Sequence, residues 1–281
     1  MAQRVAVVTD STASIPRELL PPGVRVVPLL LQIGPRTVVD DAYFTSADLV
    51  EALRAHESVT TSRPAPSALE AAYRAALAGG AERVVSVHIS AELSGTWDSA
   101  RLAAQEFDYG QIRVVDSRST GMGLGFAVLA AARAAAGGAR AAEVQDAAVA
   151  VVDRTSCLFY VDTLEYLRRG GRISAPQALL GTALSVKPLL HVQNGRIVPL
   201  EKVRTAGRAI ARMLDLAVTA AGGESAEIAV QHLGAPERAE EVAAALVARL
   251  PQASVIATSE VGAAVGAHTG PGTVGVIVRR P

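Results

Sequence analysis

Val84-Val85-Ser86-Val87-His88-Ile89 is a short β-branched run that passes through Ser90-Ala91-Glu92-Leu93-Ser94-Gly95 into the helical stretch Thr96 to Phe107. Strand, polar turn, amphipathic helix is the repeating unit of a parallel sheet covered by helices. The unit recurs around it. Val5 to Thr9, Val24 to Leu31 and Ile112 to Val115 read as further strands. Ser46 and Asp48 open a helix through Ala55, and Pro66 and Ser67 open another through Leu77. Polar residues follow the strand ends in each case, and that edge is where open α/β sheets bind ligands.

Beyond this half the pattern changes. A helical tract from Gly121 to about Arg154, broken at Gly137-Gly138, leads to a strand at Cys157 to Val161 and a short helix ending at Arg169. Lys187 to Val192 and Arg196 to Leu200 form a hairpin around Gln193-Asn194-Gly195, a favourable turn sequence. A helix from Thr205 to Ala221, a strand at Ala226 to Gln231, a helix from Pro236 to Leu250 and two late strands follow. The fold class is therefore α/β in two domains. Residues 1–153 carry a mainly parallel sheet flanked by helices, and residues 154–281 an α/β unit with a mixed sheet.

At 281 residues the chain is long enough for two such domains without metals or disulfides. Half of it is hydrophobic, yet no apolar block is long enough to cross a bilayer, and Val5 to Val8 ends at once in Thr9-Asp10-Ser11, unlike an export signal. The single Cys157 excludes an internal disulfide and a Cys-rich metal cage, so a reducing cytoplasm is the expected compartment. With 27 basic and 27 acidic residues there is no excess of charge to bind nucleic acid. The histidines at 56, 88, 191, 232 and 268 show no metal-ligand spacing, and no Walker loop is present.

Four polar segments are more specific than plain connectors. Thr60-Thr61-Ser62-Arg63-Pro64 reads as an extended loop ahead of a helix that Ser67 can cap. Ser94-Gly95-Thr96 sets hydroxyls and free helix-start amides around one point, which suits an anion or a simple N-cap. Asp116 to Gly125 holds glycines that fit close helix packing better than a dinucleotide fingerprint. His268 stands among turn-formers in Gly266 to Gly272. Ser94, His268 and Asp116 can also be written as a hydrolytic triad, though the nucleophile elbow is missing.

In order along the chain these segments resemble the DegV family of bacterial fatty-acid-binding proteins. The matching residues are Thr9-Asp10-Ser11-Thr12 with Ile15-Pro16, Thr60-Thr61-Ser62-Arg63-Pro64, Leu93-Ser94-Gly95-Thr96 with Ser99-Ala100, and Val115-Asp116-Ser117. The most specific is Val161-Asp162-Thr163-Leu164-Glu165-Tyr166-Leu167-Arg168-Arg169-Gly170-Gly171-Arg172-Ile173. Lys187-Pro188 with Gly195, and His268-Thr269-Gly270-Pro271-Gly272, complete the series. Arg63 departs from the family's usual Gln.

The resemblance implies a non-enzymatic carrier that encloses one fatty acid, such as palmitate or oleate, between its two domains and needs no cofactor or metal. Thr61, Ser94 and His268 would bind the carboxylate, with Ser62, Gly95 and Thr96 beside them. A partner fatty acid kinase would phosphorylate the presented carboxylate. On physical grounds, neutral hydroxyls and a His titrating near the usual value of about 6.5 can hold a carboxylate without an Arg fork. Arg168, Arg169 and Arg172 suit a helix C-terminus and, with Lys202 and Arg204, a docking surface for the kinase. Transient membrane contact is compatible with such a carrier. A serine-dependent lipid hydrolase and a lipid sensor without a kinase are the alternatives.

Overall fold

The computed structural model describes residues 4–41, 43–174, 187–223 and 225–281. β1 (Val5–Asp10), β2 (Arg25–Val27), β6 (Arg83–His88) and β7 (Ile112–Asp116) form a wholly parallel sheet in the order β2-β1-β6-β7. Successive side chains point to opposite faces of a strand. Val8 and Val84 accordingly meet α2 (Pro66–Ala78) and α3 (Thr96–Ala104) on one side. Val7, Val85 and Val87 meet α4 (Met122–Ala136) and α5 (Ala141–Val152) on the other. The break expected at Gly137-Gly138 separates these last two helices.

Val24 to Leu31 is not one strand. Pro28 offers no N–H to a ladder, so β2 ends at Val27, and β3 (Leu30–Ile33) starts a second, antiparallel sheet with β4 (Arg36–Val39) and β5 (Val59–Ser62). The Thr60-Thr61-Ser62 segment is thus an edge strand, where the sequence suggested a loop. Leu31 and Ile33 bury this small sheet against α1 (Ser46–Arg54) and α9 (Ala263–Thr269). Thr45 and Asp48 close a capping box on α1. At α2 the cap residue is Ala65 and no side chain bonds to the free amides, so Ser67 is not the expected cap.

The second half forms one mixed sheet in the order β10-β9-β8-β13-β11-β12. Its strands are β8 (Thr155–Tyr160), β9 (Lys187–Gln193), β10 (Arg196–Val203), β11 (Glu227–His232), β12 (Ser254–Glu260) and β13 (Val274–Arg279). Only β11 and β12 pair in parallel. The face bearing Leu158, Leu189, Val274, Val276 and Val278 is covered by α7 (Ala206–Ala221) and α8 (Pro236–Arg249). The alternate residues Phe159, Leu190 and Ile277 join α4 in the largest apolar cluster, so one core runs across both halves.

α4 is central to that join, being buried at every position from Met122 to Ala132. A Cβ at Gly123 would stand 3.1 Å from the Ser119 Cβ, and one at Gly125 would stand 3.1 Å from the Ala13 carbonyl oxygen. These glycines let the helix approach its neighbours, as the sequence suggested. Gln231 ties the halves together, accepting from the Met122 amide at 2.8 Å and donating to the Ser14 carbonyl at 3.1 Å.

Candidate functional site

A cavity of about 790 Å³, counting its open mouth, lies between the C-terminal edge of the parallel sheet and the α4 side of the mixed sheet. Leu29, Ile89, Leu93, Phe159, Ile197 and Ile277 give it apolar walls, and Thr61, Ser94, Arg172 and His268 are among its polar lining residues.

Thr61 reaches the cavity because β5 alternates, which turns Thr60 and Ser62 outward to solvent. Ser62 therefore does not join the site. His268 occupies the last turn of α9, and its Nε2 lies 2.7 Å from the Thr61 Oγ1. Its Nδ1 is buried without a hydrogen-bond partner. Burial, reinforced by the Arg172 charge, pushes the imidazole down to about 4. The ring is thus neutral at pH 7, which corrects the expectation of titration near 6.5, and as a neutral ring it still has one N–H to donate.

Ser94 pairs its hydroxyl with the Thr96 hydroxyl at 2.8 Å and accepts from the Thr96 amide at 3.3 Å. Thr96 is fully buried behind it and does not line the cavity. Gly95 is the cap residue of α3 and has no side chain to cap it, so the Ser94 hydroxyl takes the first amide instead. Arg172, expected on an outer docking surface, turns inward. Its Nε donates to the Leu93 carbonyl at 3.0 Å, an Nη donates to the Gly170 carbonyl, and the half-buried guanidinium forms part of the cavity wall. A cation therefore does stand beside the hydroxyls.

Two of the matched motifs turn out to be one packing unit. α6 (Glu165–Arg169) and its flanks meet the 268–272 loop through glycines. A Cβ at Gly170 would stand 2.8 Å from the His268 Cε1, one at Gly270 would stand 2.9 Å from the Tyr166 Cγ, and one at Gly272 would stand 2.8 Å from the Asp162 Cγ. Of the other basic residues in question, Arg169 pairs with Glu165. Arg168, Lys202 and Arg204 are exposed.

The hydrolytic alternative has no geometry here. His268 faces Thr61 with no acid behind it, and Asp116 instead accepts from the amides of Ala91 at 3.3 Å and Arg118 at 2.8 Å. The imidazole that does meet an acid is His88, which sequence reading passed over. Its Nδ1 lies 2.9 Å from Asp10 and its Nε2 lies 2.7 Å from Ser86, with both members of the acid pair fully buried. Asp10 also accepts from the Ile89 amide at 3.0 Å and from the amide and hydroxyl of the cavity-lining Thr12. Burial pushes the thiol of the cavity-lining Cys157 up to about 12, which keeps it protonated at pH 7. Among the described residues no group of side chains is arranged to hold a metal ion. None of their helices is long and apolar enough to cross a membrane.

A family model described as "Uncharacterised protein, DegV family" matches residues 4–280. The chain belongs to the DegV family. A DegV domain-containing protein of Streptomyces coelicolor is 50% identical over 279 residues, covering 99% of each chain. The DegV fold is equally continuous in solved structures. One, reported as fatty acid binding of a DegV family protein from Thermus thermophilus, superposes with a TM-score of 0.91 at 34% identity over 99% of both chains. DegV of Bacillus subtilis, described as a fatty acid binding protein, gives 0.88 at 33% identity over 99% of both.

Proposed function

We propose that this chain is a carrier that holds one long-chain fatty acid in the cavity and presents its carboxylate to a separate fatty acid kinase for conversion to the acyl phosphate. The observation that carries the reading is an apolar cavity whose wall also brings together Thr61, Ser94, Arg172 and His268. Each methylene taken from water contributes about 0.8 kcal/mol, so the acyl chain supplies most of the affinity and the polar cluster is left to orient the head group. The DegV proteins of T. thermophilus and B. subtilis, described as binding fatty acid, support the same ligand class.

In this reading Ser94 and Thr61 donate to the carboxylate, His268 gives its one N–H, and Arg172 supplies the charge. Residues 1–153 and 154–281 are the two domains that enclose the ligand. The chain contributes no catalytic group. Exposed Arg168, Lys202 and Arg204 form the docking surface for the kinase, and the setting is the cytoplasm.

Mass spectrometry of the gently purified protein is the direct test and should find a fatty acid in stoichiometric amount. Adding a bacterial fatty acid kinase and ATP should then yield acyl phosphate, and Ser94→Ala with His268→Ala should lower both occupancy and turnover. Lipid occupancy without phosphorylation would leave a lipid sensor. An empty cavity that takes up no fatty acid would defeat the carrier outright.

A further inference from the structure

Gly95 adopts φ −71° and ψ 12°, a conformation open to any residue, so its backbone does not require glycine. The missing Cβ leaves the Arg63 side chain room to lie across this residue. A Cβ at position 95 would stand 2.9 Å from the Arg63 Cδ and 3.1 Å from its Cζ, with an Nη closer still. The guanidinium lies against Gly95 in the Ser94-Gly95-Thr96 turn, and Arg63, unlike Ser94, is not among the cavity-lining residues. Arg63 is exposed. Among the described residues nothing forms an ion pair or hydrogen bond with it, Asp98 in the first turn of α3 included. A long, exposed cation thus lies against the turn with no protein anion beside it.

Resting on the carrier reading, we infer that Arg63 forms a phosphate subsite, with the phosphoryl group of an acyl phosphate as its ligand. A carboxylate held by Thr61, Ser94, His268 and Arg172 ends at the cavity wall, and Arg63, which does not line the cavity, lies against Gly95 next to Ser94. An anion that reaches it projects past the carboxyl carbon. In the transfer, a carboxylate oxygen bonds to the γ-phosphorus of ATP while the bond from that phosphorus to ADP breaks. Arg63 makes and breaks no bond. It holds the transferred group, whose tetrahedral oxygens suit the planar donor fork of Arg better than a single ammonium.

The test compares laurate with dodecyl phosphate as competitors of the fluorescent fatty acid cis-parinarate on the wild-type chain, Arg63→Gln and Arg63→Lys. Arg63→Gln should weaken dodecyl phosphate roughly 3- to 10-fold and leave laurate within about twofold, the loss shrinking at high salt because the site is exposed. Arg63→Lys should recover part of it. Equal weakening of both ligands would make Arg63 a carboxylate ligand and overturn the subsite, and so would no change in either. Failure of laurate to compete on the wild-type chain would defeat the carrier reading itself, and the subsite with it.

Discussion

His88 and His268 are both largely sheltered from water, yet their surroundings are opposite. His88 has a partner on each ring nitrogen, Asp10 on one and Ser86 on the other, and the chain continues to the Tyr73 hydroxyl, which donates to Ser86 at 3.0 Å. His268 has Thr61 on Nε2 and nothing on Nδ1. A buried polar network that is complete fixes structure, whereas one that is left open holds capacity for something else. The closed network holds the β1 turn and the cavity-lining Thr12, while the open one has a ring nitrogen to spare where the proposed carrier would place its head group.

The largest effect should come from breaking the closed network. Asp10→Ala strips His88, the Ile89 amide and Thr12 of their acceptor and should cost about 3–5 kcal/mol, read from urea unfolding. A loss under about 1 kcal/mol would mean that water replaces the carboxylate and that the contrast is false. Gly270→Ala should come next, at about 2–4 kcal/mol, because φ +78° with ψ 166° is nearly closed to other residues and the Tyr166 ring fills the space.

At the open network the sign should reverse, with ligand binding suffering more than folding. His268→Ala should change stability by less than about 1 kcal/mol while weakening fatty-acid binding about tenfold or more, measured by displacement titration. Stability should also depend on this ring through pH. Its folded value is depressed to about 4, so the unfolded chain takes up a proton below the usual value of about 6.5 while the folded chain resists. The neutral ring's contribution is full above about 6.5 and is lost as pH falls toward 4. Between pH 7 and 5 this should amount to about 2 kcal/mol, and His268→Gln should remove it. A bound carboxylate should raise the ring's value, visible by NMR titration. The smallest effect belongs to Ser62→Ala, which should leave fatty-acid affinity within about twofold because the side chain faces solvent.

Sequence carried the architecture well because the alternation of strands and helices is written in local periodicity. It failed at Pro28, where a single missing N–H splits an apolar run between two sheets, and at Thr60 to Ser62, which is too short and polar to read as a strand. Thr61, Ser94 and His268 stand out in the ordered motifs, and all three line the cavity. Side-chain direction was the illegible part. Nothing in the Arg168 to Arg172 run distinguishes the one guanidinium that turns inward, and nothing at Arg63 announces that Gly95 makes room for it. The Asp10 and His88 pair was also hidden, since it joins positions 78 residues apart, although Asp10 in the opening motif was a signal.

The glycine seam between α6 and the His268 loop makes the two a single mechanical part. No room for even a methyl group is left where Gly170 meets the His268 ring, Gly270 the Tyr166 ring and Gly272 the Asp162 carboxylate. Arg168 stands exposed on this short helix, and the Thr61 hydrogen bond stands on the far side of the seam. A substitution that shifts α6 should therefore shift the His268 loop with it.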